Sequence, residues 1–385
     1  MHLLLFEWNA LMQRDLEDVL HSLHITFYRF SYQFSNIHED DFFCSRLENH
    51  LKTHNYDAVI SFNFFPLTAA VCHKYDIKYI SWCYDSPVRV LPYDTFRFST
   101  NYIFMFDKKE ADSYRSLGFD NVFHMPLAVN VSRMKKLKDT LTSARPVCDL
   151  SFIGNFHNSN FLEFIAPLPA YYRGYLNSLT KAQQNLWTYY LPDDFFHPAF
   201  MDTLNSYYKQ YLNDPSYFVG KEDFSFLFGK YMTETERISY LSILSKFYKM
   251  NLYSNSCPGQ LTNINHMGTA AYYTEMSRIF ACSKINFNLS FYCIRTGISL
   301  RILDILAAGG FLLTNYQEEL SGYFDLEQDL ALYADIEDAV EKTAFYLKHD
   351  DLRKQIALSG QRRAWEHFSY ETQLEKIFTT AGLLI

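Results

Sequence analysis

Through the first 130 residues, six short apolar runs alternate with stretches of helical periodicity, and this alternation restricts the fold more than any other feature of the sequence. The runs are Leu3–Trp8, Ile25–Phe30, Ala58–Asn63, Lys78–Tyr84, Tyr102–Phe106 and Val122–Met125. Between them, Ala10–Leu23 carries Leu11, Leu16, Val19, Leu20 and Leu23 at helical spacing. Asp40–His54, Pro66–Lys74 and Lys108–Leu117 also read as helices, with Pro66 suited to a first turn and Gly118 to a helix end. Repeated strand and helix build a parallel sheet covered on both faces, because parallel strands need a crossover. Ligands of such sheets lie beyond the carboxyl ends of the strands. That edge would carry Glu7-Trp8-Asn9, Asn63–Pro66 and Tyr84-Asp85-Ser86-Pro87.

Asn130–Val147 is polar and basic, with Arg133, Lys135, Lys136 and Lys138, and reads as a linker whose cations face solvent. A second βα series opens at Asp149–Gly154, and Asn155–Phe218 reads as mostly helical, without a repeat. Glu222–Lys249 is one helix or two, Lys249–Ser254 a strand, Gly268–Ala281 a helix, and Lys284–Leu289 and Asp329–Ala334 strands. Ile336–His349, Asp351–His367 and Glu371–Ala381 close the chain as helices. An N-terminal Rossmann-like domain over 1–140 and a second domain over 148–367 follow, with a helical elaboration at 156–221. The tail, 368–385, would cross back to the first domain. Two α/β halves facing a central cleft are the architecture called GT-B.

Ser290–Tyr316 reads as a strand end, a loop, a short helix, a tight Gly309-Gly310 turn and a buried strand. A helix beginning near Ile298 would aim its unpaired amides at the loop carrying Arg295 and Gly297. Such a helix start is an anion site, because its first amides lack helical partners and the dipole is positive there. Amides near Ile298, Ser299 and Leu300 would hold a diphosphate, with Arg295 or Arg301 adding charge. Gly297, Arg301, Asp304 and Ala308 share one helix face. Asp304, about two turns in and roughly 10 Å along the axis, would reach ribose hydroxyls. A plain i, i+3 pair of Arg301 with Asp304 is the competing explanation.

Hydrophobic residues make up 48% of the chain and net charge is −8, which argues for a globular protein and against nucleic acid as the main partner. Aromatics reach 18%, mostly core, with a sugar-stacking surface as a further use. Seven cysteines, an odd number without C-x-x-C or zinc spacing, suggest reduced thiols of the cytoplasm. The apolar start is too short for a signal peptide, and no run reaches the length of a membrane span. Peripheral membrane contact stays open.

SKINFNLSFYCIRTGISLRILDILAAGGFLLTNYQEEL, ALYADIEDAVEKTAFYLKHD and IALSGQRRAWEHFSYETQLEKI together resemble the group-1-like glycosyltransferases described as spore maturation protein CgeB-like. FEWNALMQRDLE, YDAVISFNFFP, YISWCYDSP, IFMFDKKEADSYRSLGF and NVFHMPLAVN are similar to the domain that often precedes that module. The resemblance implies a GT-B fold, a nucleotide-sugar donor on the C-terminal domain and an acceptor on or near the N-terminal one. Group-1 enzymes often carry two glutamates separated by seven residues around the donor. The second corresponds to Asp304, and the first falls on Thr296, which is not acidic.

Other candidates follow from strand ends. Gly154 and Asn155 would let a phosphate or sugar approach the backbone, or form an ordinary turn. Tyr253-Ser254-Asn255 would contact base or ribose, and Tyr272 or Tyr273 would stack on the base or pack in the core. No cation is evident near Gly154, where His157 and Asn160 stand. Asp85 would deprotonate an acceptor hydroxyl, bind the acceptor or cap a helix; Glu7 is the rival base, and His124 lies near the interdomain side. No D-x-D occurs, which fits leaving-group stabilisation by amides and Arg without a metal or cofactor. The expectation is a metal-independent transferase moving a sugar from a UDP- or GDP-sugar to a hydroxyl of a glycan, protein or other acceptor. A sugar-nucleotide epimerase and a non-catalytic sugar-nucleotide- or glycan-binding protein are the alternatives.

Overall fold

The computed structural model describes residues 1–89, 93–141, 147–184, 186 and 189–384. The chain forms two compact units. The first comprises 1–142, 296–308 and 360–385; the second comprises 143–295 and 309–359.

The first unit holds β1 (His2–Glu7), β2 (Thr26–Ser31), β3 (Ala58–Phe62), β4 (Lys78–Cys83), β5 (Asn101–Met105) and β6 (Val122–His124). They form one parallel sheet in the order β2-β1-β3-β4-β5-β6. Alternation along β1 sends Leu4 and Phe6 to one face and Leu3 and Leu5 to the other. The first face packs on Phe43 and Leu47 of helix Asp41–Thr53, Ala69 and Cys72 of Pro66–Lys74, and Ala111 and Tyr114 of Lys108–Ser116. The second packs on Leu16, Val19 and Leu20 of Gln13–Ser22, and on Leu374, Ile377 and Phe378 of Tyr370–Thr380. Each fully buried Leu, Val, Ile or Phe among these contributes about 1.5–3 kcal/mol. The C-terminal helix is further tied down where Lys78 Nζ donates to Ala381 O at 2.7 Å. Side-chain caps begin three of the unit's helices: Asp40 accepts from the Phe43 amide, Asp107 from Glu110 and Ser369 from Thr372.

The second unit holds β7 (Cys148–Ile153), β8 (Met250–Tyr253), β9 (Asn265–His266), β10 (Ser283–Asn288), β11 (Leu312–Asn315) and β12 (Ala331–Tyr333). They pair in parallel in the order β12-β11-β10-β7-β8-β9. The stretch between β7 and β8 is helical, ending in Lys221–Phe247, one helix of 27 residues. Its far end joins Phe161, Phe196, Phe200 and Phe224 in a separate aromatic core, and its near end, with Tyr240, Leu241 and Leu244, packs on the sheet. One helix therefore serves two cores, which explains why its apolar residues keep to no single stripe.

Several elements differ from the expectations. Asn130–Val147 contains a helix, Val131–Leu141, and residues 142–146 lie outside the described residues. Its Arg133 does not face solvent: Nε and Nη2 donate to Asp15, a fully buried carboxylate, at 2.8 and 2.7 Å. Asn130 Nδ2 completes that site at 3.0 Å. Gly268–Ala281 is not one α-helix but a π-helical turn, Tyr272–Met276, followed by Ser277–Cys282. All seven cysteines are free thiols. Among the described residues no helix is long and apolar enough to cross a membrane.

Candidate functional site

In each unit the sheet is parallel, so its strand ends share one edge. In the first unit this edge carries Glu7, Asn63, Asp85, Asp107 and His124. Asn63 adopts a left-handed conformation (φ 60°) after β3 and braces the next loop. Its Oδ1 accepts from the Tyr84 and Asp85 amides, and its Nδ2 donates to Asp85 Oδ2 at 2.6 Å. Glu110 holds the far side, accepting from Ser86 Oγ and the Val88 amide. Asp85 is thus an exposed carboxylate on a loop fixed from both sides. It caps no helix. Glu7 is bound by Ser31 Oγ and lies 3.8 Å from Arg29 Nε at the β1–β2 end of the edge.

The stretch 296–308 belongs to this first unit. Asp107, fully buried, gathers it: Oδ2 accepts from the Thr296 and Gly297 amides at 3.1 and 3.4 Å, and Oδ1 from Thr296 Oγ1 at 3.2 Å. A β-carbon on Gly297 would lie 2.9 Å from Asp107 Cα and the Phe106 ring, so only glycine permits the approach. The helix begins at Leu300 with Ser299 as its N-cap, two residues later than Ile298. Among the described residues, the amides of Ile298, Ser299 and Leu300 have no acceptor, and Ser299 Oγ is shielded from solvent without a partner. The anion-binding potential of the turn therefore starts at Ile298, because Thr296 and Gly297 are spent on Asp107. Asp304 sits just over one turn in, about 6 Å along the axis. It is 3% exposed and pairs with Arg301 Nη1 at 3.5 Å.

In the second unit the edge carries the turns after β7, β8 and β10. Asn155 Oδ1 accepts from the Asn255 amide at 3.1 Å, and the Gly154 amide donates to Tyr253 O, so the turns after β7 and β8 are tied together. Ser254 is 1% exposed, and its carbonyl meets His266 Nε2 at 2.9 Å. Tyr273 is half-buried and packs edge-on against Tyr272 at 5.0 Å. A β-carbon on Gly154 would crowd the Phe152 ring at 3.1 Å, and Arg237 Nη1 would lie 3.8 Å away.

Arg237 is the residue that sequence reasoning missed. It projects from the long helix, donates from Nη1 to Asn155 O and from Nη2 to Leu289 O at 3.2 Å, and lies over the Phe152 ring. One guanidinium thereby bridges the ends of β7 and β10. His157 Nε2 lies 3.4 Å from it, and burial with that cation pushes the imidazole down to about 4. His157 is neutral at pH 7 and so adds no charge. Gly229, Thr233, Glu236, Arg237 and Tyr240 lie on one helix face, and the spacing of this set was the available signal. Arg295 points elsewhere: Nη2 donates to Asp193 at 2.6 Å, and the guanidinium stacks 3.7 Å above the Tyr190 ring.

Among the described residues no group of three or more His, Cys, Asp or Glu is arranged to hold a metal ion.

Two six-stranded parallel sheets, each wrapped in helices, constitute the GT-B fold of glycosyltransferases. The glycosyl transferase-like family model matches residues 240–379. Solved structures share the fold at low identity. Sucrose-phosphate synthase from Thermosynechococcus elongatus is 8% identical, with a TM-score of 0.57 over 99% of this chain and 98% of that one. HepE from Anabaena, in complex with UDP-glucose, is 10% identical, with a TM-score of 0.52 over 99% of each chain. T4 phage BGT, with its UDP-glucose substrate, is 9% identical, with a TM-score of 0.51 over 99% of each chain. No curated protein matches the chain in sequence.

Proposed function

We propose that this chain is a glycosyltransferase that takes a sugar from a nucleoside-diphosphate donor, a UDP-sugar before a GDP-sugar, and passes it to a hydroxyl acceptor. The observation that carries this is the cation at the carboxyl edge of the second sheet, where Arg237 bridges the turns after β7 and β10. Transfer breaks the bond between the anomeric carbon and the diphosphate, and negative charge grows on the leaving phosphate. A fixed guanidinium meets that charge without reorganisation. In the first unit, the open amides of Ile298, Ser299 and Leu300 and the Ser299 hydroxyl form an anion-binding group of their own. Within the second unit, Ser254, Asn155 and Tyr273 would line the base side. Asp85 is the more exposed carboxylate for an acceptor hydroxyl and is held by Asn63, whereas Glu7 is half-buried and engaged by Ser31 and Arg29.

UDP-glucose in two structures of the same fold supports the donor class. Thermal stabilisation and donor hydrolysis across UDP-, GDP-, dTDP- and ADP-sugars test it. The expected result is selective stabilisation by UDP and UDP-sugars, with hydrolysis unchanged by EDTA. Absence of any response to every nucleotide and sugar nucleotide would reject the proposal.

A further inference from the structure

The long helix of the second unit presents one face to the segment after β10. Gly229 leaves room for Cys293: a β-carbon there would stand 2.3 Å from Cys293 Sγ and 2.8 Å from the Tyr190 hydroxyl. One turn on, Thr233 Oγ1 accepts from the Tyr292 amide at 3.0 Å. The next turn brings Glu236, whose Oε1 accepts from the Tyr292 hydroxyl, and Arg237, which holds Leu289 O. Gly229, Thr233, Glu236 and Arg237 therefore contact four features of Leu289–Cys293 from consecutive turns.

Glu236 is the unusual member. It is 3% exposed, Tyr292 is its donor, and Oε2 has no partner among the described residues. The groups facing it are Tyr292 from the loop, Tyr240 from its own helix and Tyr333 from β12, all uncharged at neutral pH. The nearby cation, Arg237, is directed to the carbonyls of Asn155 and Leu289. Burial holds the carboxyl up at about 8, against the usual 4.5. A carboxylate there needs water, and β12 and the helix are fixed by their own backbone bonding. The loop over it is the part that can yield.

We propose that this helix face is a seat for the loop Ser290–Arg295, and that Glu236 is a positioning residue that keeps the loop seated for the donor. The donor half of this rests on the proposed transferase function. The seat itself does not. The unseated loop exposes Glu236 to water, where it ionises near the usual value, so unseating becomes easier as pH rises from about 4.5 to about 8 and levels off above that.

The test is amide hydrogen exchange of Tyr292 in the full chain from pH 5 to 9, expressed as a protection factor, with UDP affinity measured in parallel. In the wild type, protection should fall by up to about tenfold per pH unit until about pH 8 and then plateau. In Glu236→Gln, which keeps an acceptor for Tyr292 but does not ionise, it should stay flat, and UDP affinity at pH 9 should exceed that of the wild type. Tyr292→Phe should lower protection at all pH values. Identical pH profiles in wild type and Glu236→Gln overturn the seat. Different exchange profiles with identical UDP affinities overturn the donor half. If UDP and other nucleotides fail to bind at every pH, the transferase proposal falls, and the exchange profiles still decide the seat.

Discussion

Arg237→Ala is the substitution that most directly probes the proposed donor site. The side chain supplies the cation at the joined ends of β7 and β10, held by two backbone carbonyls and the Phe152 ring. A charge-assisted hydrogen bond to phosphate contributes about 1.5–3 kcal/mol. Its loss should weaken UDP binding by about 10- to 150-fold. Because the guanidinium also tethers Asn155 and Leu289, part of a loss could come from loosened turns, and two controls separate the effects. Uridine lacks phosphate, so its affinity should change by less than threefold, or about 0.6 kcal/mol. Arg237→Lys keeps the charge but cannot span both carbonyls, so it should fall between wild type and Ala. Isothermal titration at two salt concentrations measures these affinities, and the salt dependence of UDP binding should be shallower in the Ala variant. A folded Arg237→Ala protein that binds UDP within twofold of wild type would show that the diphosphate is held elsewhere.

Three further outcomes are expected. Arg133→Ala leaves Asp15 buried and short of its charge partner, so it should destabilise the first unit by about 3–5 kcal/mol, with the Asp15→Ala/Arg133→Ala double variant recovering part of the loss. Urea unfolding followed by tryptophan fluorescence reads this, because three of the four tryptophans, Trp8, Trp82 and Trp365, belong to that unit. Gly229→Ala gains about 1 kcal/mol of helix propensity but must displace Cys293 and Tyr190, an overpacking cost of about 1–3 kcal/mol, so a lowered melting temperature is expected and a raised one would contradict the packing. His157 ionises near 4 in the fold against 6.5 in the unfolded chain. Its contribution is complete above about pH 6.5 and lost as pH falls towards 4. With solvent screening this amounts to at most about 2–3 kcal/mol. His157→Gln should flatten the stability profile between pH 6.5 and 4, and an unchanged slope would show that other groups govern acid unfolding.

The sequence by itself determined the class of fold. Short apolar runs such as Leu3–Trp8 and Ala58–Asn63, separated by amphipathic helices, admit only covered parallel sheets, since local periodicity and crossover length are both written in consecutive residues. It also located the strand-end turns at Asp85, Gly154 and Ser254, and the helix after Gly297. Tertiary structure alone decided which side chains meet there. Arg237 lies 82 residues from Asn155, and Asp107 lies 189 from Thr296, so no spacing rule could pair them. Arg133 looked like a solvated cation until Asp15, 118 residues away, was found beneath it. Arg295 looked like a phosphate ligand until Tyr190 and Asp193 took it up. Hydrogen bonds and charges act over about 3–4 Å, whereas a sequence records distance along the chain. The stretch after β10 thus announces a helix start near a ligand edge, and only the folded chain shows that Asp107 takes the Thr296 and Gly297 amides before it while Glu236 lies beneath its loop.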